Sequence, residues 1–94
     1  MKTGFLALAL LAITSVAQAA CYADYKAKTE QPLRLHYGVL QLSDAACTNR
    51  NAAVTEAKAR LQASGWTLLN IVSTFGAEGL ERRKADAGQY YLRF

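Results

Sequence analysis

The chain has 94 residues, eleven Lys and Arg against seven Asp and Glu, and a formal net charge of +4. That excess is too small to demand a polyanionic partner, and nucleic-acid binding is not expected. One histidine and scattered carboxylates provide no ligand spacing for a metal, and no cofactor motif is present.

Lys2 precedes an apolar run from Phe5 to Ile13, and Ala17-Gln18-Ala19 follows as a small-x-small cleavage pattern. This predicts a secretory signal over residues 1–19, a single small domain over 20–94, and a periplasmic or secreted location in a bacterial envelope. Thr14, Ser15 and Gln18 interrupt the run before it reaches the length of a membrane span, so no stable span is expected. Lipidation of Cys21 is the alternative, but Gln18 stands where a lipoprotein signal carries a large aliphatic residue.

Cys21 and Cys47 are the two cysteines, both in the exported part. An even count in an oxidising compartment reads as one disulfide, and a small domain with a limited core benefits from it. A redox-active pair would show two cysteines two residues apart at a helix start, a spacing this chain lacks.

From residue 21 the pattern CYADYKA alternates like a short, charged edge strand, with Cys21, Ala23, Tyr25 and Ala27 on one side. Thr29 to Pro32 reads as a turn. Residues 33–42, LRLHYGVLQL, read as a strand with Leu33, Leu35, Tyr37 and Val39 in phase and a bulge expected at Gly38. That strand spans about 33 Å, and residues 22–32 reach at most about 36 Å, so Cys21 meets Cys47 only along an extended antiparallel return.

Residues 51–64 form the one convincing helix, capped by Asn49 or Asn51 and stopped at Gly65. Val54, Ala57 and Leu61 supply its apolar stripe. Residues 66–75 follow as a strand, Trp66, Leu68 and Val72 on one face and Leu69, Ile71 and Phe75 on the other. Residues 76–88 read as a long hairpin connection, and 89–94, QYYLRF, as a final strand apolar on both faces.

The predicted fold is therefore α+β, β-β-α-β-β: a mainly antiparallel four-stranded sheet with one helix on one face. Strands apolar on both faces need cover, and one helix leaves a face open, which points to a homodimer. A leucine-bearing helix running through glycine into Gly-Trp-x-Leu, then a strand and an aromatic, basic C-terminal strand, is similar to a small bacterial domain family of unknown function. Leu61, Gly65, Trp66, Leu68, Ile71, Tyr91 and Arg93 carry the likeness over about residues 33–94, and Thr67 departs from it where glutamate is usual. The resemblance implies an α+β fold and carries over no catalytic residue.

Three functions remain open. The first is an exported, non-catalytic interaction module that self-associates through its sheet and binds an envelope protein or polymer, with Arg82, Arg83 and Lys84 as an anion contact. The second is a small-ligand carrier or sensor whose pocket uses Tyr37, Tyr90 or Tyr91. The third is an enzyme using His36, expected on the polar face of its strand, with Asp24 as its partner. Ser43, Ser64 and Ser73 sit in no nucleophile elbow, and no catalytic residue is assigned.

Overall fold

A computed structural model describes residues 20–94; the expected signal segment lies outside the described residues. The elements run β1 (Cys21–Thr29), β2 (Arg34–Leu42), a 3-10 turn (Asp44–Thr48), α1 (Arg50–Ala63), β3 (Thr67–Phe75), a 3-10 turn (Ala77–Gly79), α2 (Glu81–Ala87) and a last 3-10 turn (Gly88–Tyr90). The fold is α+β with a three-stranded antiparallel sheet ordered β2-β1-β3.

The expected hairpin return is present. β1 runs along β2 in unbroken antiparallel register, from Cys21 opposite Leu42 to Thr29 opposite Arg34. This brings Cys21 to the far end of β2, where a disulfide joins it to Cys47 with the Cα atoms 5.7 Å apart.

β1 is the central strand, however, and not an edge. Its Cys21, Ala23, Tyr25 and Ala27 side chains are all buried beneath α1, and Asp24 on the other face is buried as well. A central strand tolerates these charges because Lys26 reaches solvent and Asp24 is paired with Arg83. The alanines leave room for α1, whose buried residues Ala53, Ala57 and Leu61 are also mostly small and fall on one stripe. Asn49 caps that helix by accepting from the Ala52 N–H at 3.1 Å. Gly65 ends it with φ 85°, a conformation that costs glycine little.

The predicted fourth strand is absent. Residues 88–90 coil into the last 3-10 turn, and only Tyr91 makes a single parallel bridge to Val39. β1 already occupies the place between β2 and β3, so the C-terminal segment is left to edge β2. The Leu92 N–H donates to the Val39 carbonyl at 2.8 Å, and Arg60 donates to the Gln41 carbonyl and to the main-chain oxygen of Phe94.

The expected hairpin connection holds a second helix instead. Arg82, Arg83, Lys84 and Ala85 are good helix formers, and Gly79 and Gly88 flank α2 rather than loosen a loop. α2 packs on the face opposite α1, over the Asp24 end of the sheet, so that face is partly covered without a second copy of the chain. Its other end stays open, with Leu35 65% and Leu69 49% exposed.

Bulges also fall elsewhere than expected. Register passes Gly38 undisturbed, whereas β3 slips against β1 between Asp24 and Tyr25 and again between Lys26 and Ala27. Each slip resets the alternation. Ile71, opposite Tyr25, and Leu68, opposite Ala27, therefore join the α1-side core, whereas Val72 is exposed.

Candidate functional site

Alternation along β2 decides which side chains meet. Opposite Ala27, Tyr25 and Ala23 stand His36, Gly38 and Leu40, so His36 lies on the α1 face and not on the polar one. The reversal has a local cause. Tyr37 hydrogen-bonds the buried Asp24 on the other face, and Leu33 and Leu35 remain exposed.

His36 is enclosed by aromatic rings. Tyr90 stacks on it with centroids 3.7 Å apart, Trp66 meets it edge-on at 4.2 Å, Tyr25 edge-on at 5.3 Å, and Phe94 lies 5.9 Å away. Trp66 arrives from the residue after the Gly65 helix stop, and Tyr90 from the 3-10 turn. Phe94 follows Leu92, whose φ of 54° lies in a region that side-chain-bearing residues enter at a cost of about 1–2 kcal/mol. That turn, with the Arg60 bond to the main-chain oxygen of Phe94, fixes the tail beside the rings.

The imidazole is a poor base. Burial, followed by the charges of Arg34 and Arg93, lowers the His36 pKa to about 4. Its Nε2 lies 2.8 Å from the Tyr25 hydroxyl, which burial keeps protonated well above the usual tyrosine range, and its Nδ1 is buried without a partner. At neutral pH His36 is an uncharged ring within an aromatic stack. Asp24 projects from the opposite face, so the two form no pair.

Over this stack opens a cleft of about 390 Å³ lined by Arg34, Ser64, Trp66, Tyr90, Arg93 and Phe94. The Arg34 guanidinium lies 5.5 Å from the Trp66 ring centre, and that of Arg93 lies 5.8 Å from Tyr90 and 5.9 Å from Phe94. Neither arginine is ion-paired with an Asp or Glu side chain among the described residues, where the ion pairs are Lys28–Glu30 and Arg83–Asp24. Guanidinium groups held against rings keep their N–H edges available to a planar anion.

The Asp24 cluster has a different character. Its carboxylate accepts from Tyr37 at 2.7 Å, Ser73 at 2.7 Å and Arg83 at 3.1 Å, and Arg83 also donates to the Gly79 carbonyl at 2.7 Å. Burial pushes the Asp24 carboxyl up, but these donors and the Arg83 charge together hold it below its ordinary value. The Tyr37 hydroxyl is pushed up to about 12 by burial and by Asp24. Every strong group here is already partnered, which marks a structural clamp between β1 and α2.

The residues singled out in the sequence are thus dispersed. Cys21 and Cys47 are joined, His36 and Tyr90 are stacked, Tyr37 serves Asp24, and Tyr91 lies beside Lys84, whose amine is 5.7 Å from its ring. Arg83 is engaged within the protein, and Arg82 and Lys84 are exposed. Arg34, Arg93 and Phe94 were not expected to form a site. Arg34 is two residues from His36 on the same strand and so shares its face, a signal that alternation carries; the approach of residues 93–94 has no local signal.

Among the described residues no helix is long and apolar enough to cross a membrane, and no group of three His, Cys, Asp or Glu side chains converges on a metal position. The disulfide is consistent with an oxidising extracellular or periplasmic compartment. No family model, curated protein or solved structure matches the chain.

Proposed function

We propose that this protein is an exported, non-catalytic binding module that captures a small anionic group in the Arg34–Arg93 cleft. The carrying observation is the pair of arginines lying against Trp66, Tyr90 and Phe94, neither of them ion-paired with an Asp or Glu side chain among the described residues. A volume of about 390 Å³ falls within the range of small-molecule sites. His36, with its pKa near 4, serves as a packing element and adds no charge to compete for the ligand.

Thermal unfolding of the disulfide-bonded protein against a panel of phosphate, acetate, citrate and glucuronate tests this reading. Saturable stabilisation that is lost in Arg34→Gln and Arg93→Gln supports it. A panel without any arginine-dependent shift refutes it.

Self-association is a second reading, favoured by the exposure of Leu35 and Leu69 on the open end of the sheet and of Val72 at the bulge in β3. It predicts a dimer by light scattering that Leu35→Lys or Leu69→Lys dissociates; a wild-type protein that stays monomeric at high concentration counts against it.

A further inference from the structure

The open end of the sheet brings apolar surface and positive charge together. Leu33, in the turn between β1 and β2, and Leu35, on β2, are each 65% exposed. One exposed leucine alone would carry no weight, but these two adjoin a third. Leu35 and Leu69 share a shallow depression of about 260 Å³ with Lys26, Ala27, His36 and Tyr37, so leucines from two strands form one surface. The turn that presents Leu33 is held in place: the Thr29 hydroxyl donates to the Pro32 carbonyl at 3.3 Å, and Lys28 pairs with Glu30 at 2.6 Å.

Charge is divided between the two ends of the fold. Lys26, Lys28 and Arg34 lie at the hairpin end, where the one acidic residue among positions 26–35, Glu30, is already paired with Lys28. Asp44, Glu56 and Glu78 gather at the disulfide end: Asp44 and Glu78 line one depression with Cys47, and Glu56 accepts from the Ser43 N–H just past β2. Asp24 is clamped by Arg83, and Glu81 and Asp86 lie on α2. Exposed leucines rimmed by cations complement a surface that is apolar within and anionic outside. A two-fold contact between copies through this end would set like charges against each other.

We propose that this end of the protein docks on an anionic phospholipid bilayer, with Leu33 and Leu35 entering the interface and Lys26 facing the headgroup phosphates. The contact is peripheral. Neither leucine lines the Arg34–Arg93 cleft, so this surface and the anion site are separable by mutation.

Co-sedimentation of the disulfide-bonded protein with vesicles of mixed phosphatidylglycerol and phosphatidylcholine, and of phosphatidylcholine alone, tests this. Binding is expected to the anionic vesicles and at least about tenfold weaker to the neutral ones. Leu33→Gln with Leu35→Gln weakens it at least about tenfold through lost apolar transfer, and Lys26→Gln about fivefold through lost attraction to the surface. Arg82→Gln removes the same charge from α2 and leaves binding unchanged. The substituted side chains are all exposed, and an unchanged far-UV spectrum verifies the folding of each variant.

No binding to anionic vesicles overturns the proposal. Binding that the leucine variant retains also overturns it, since net charge alone then accounts for the attraction, and so does equal binding to both kinds of vesicle. A dimer in light scattering that Leu35→Gln dissociates, without vesicle binding, assigns the leucines to a second copy of the chain instead.

Discussion

The Tyr25 ring crosses directly over Gly38. A Cβ built on that glycine would stand 2.5 Å from the Tyr25 hydroxyl and 2.9 Å from the Tyr90 carbonyl oxygen. Gly38 is thus the gap through which Tyr25 reaches His36 Nε2 at 2.8 Å. Gly38→Ala should displace Tyr25 and cost about 1–3 kcal/mol, as overpacking does. Denaturant unfolding checks the loss, and an alanine variant as stable as wild type contradicts the close approach.

Asp24 and Arg83 should behave as one unit. Their side chains are only 6% and 17% exposed, so removing Asp24 strands a guanidinium, and removing Arg83 strands a carboxylate. Asp24→Ala is expected to cost about 3 kcal/mol. The double variant Asp24→Leu with Arg83→Met should lose clearly less than the sum of the two single changes. Strict additivity in a double-mutant cycle would show that the pair contributes no coupling.

Stability should fall in mild acid because of His36. Its ordinary pKa of 6.5 is lowered to about 4 in the fold, so between those values the unfolded chain binds the proton that the folded one refuses. The loss therefore begins as pH falls through about 6.5 and is complete near 4. Asp24 acts in a lower window: its carboxyl is held below 3.8, so its contribution persists above that value and drains away beneath it. Urea unfolding at several pH values checks both. His36→Gln should flatten the upper window, and an unchanged slope in that variant would assign the acid sensitivity elsewhere.

Reduction of the disulfide should be costly. Cys21 and Cys47 are separated by 26 positions, and closing a loop of that length is worth about 3.5 kcal/mol in the chain-entropy model. A Cys21→Ala, Cys47→Ala variant should show a loss of that order in denaturant unfolding. A loss under about 1 kcal/mol would mean that the rest of the fold already restrains the ends of β1 and β2.

The features legible in the sequence were those set by neighbours along the chain. Asn49 caps α1 because its side chain needs only the Ala52 N–H, Gly65 ends that helix through its own φ, and the span between Cys21 and Cys47 permits only an extended return. The second helix was hidden because Gly76, Gly79 and Gly88 punctuate a loop and bracket a short helix equally well. The fourth strand was misplaced because aromatic residues suit a strand and a ring stack alike, and QYYLRF supplies Tyr90 and Phe94 to the stack around His36.

The sequence by itself determined an α+β chain with a covalently closed β hairpin, because propensity, capping and chain length act over a few residues. Tertiary structure alone decided that β1 is central, that Asp24 is clamped by Arg83 across 59 positions, and that His36 faces the core. It also decided the cleft, since Arg34 and Arg93 come together only when the C-terminal tail folds back along β2. Alternation tells which residues share a face; only the packing of α1, α2 and the tail determines which face is buried and which arginines are drawn together at one cleft.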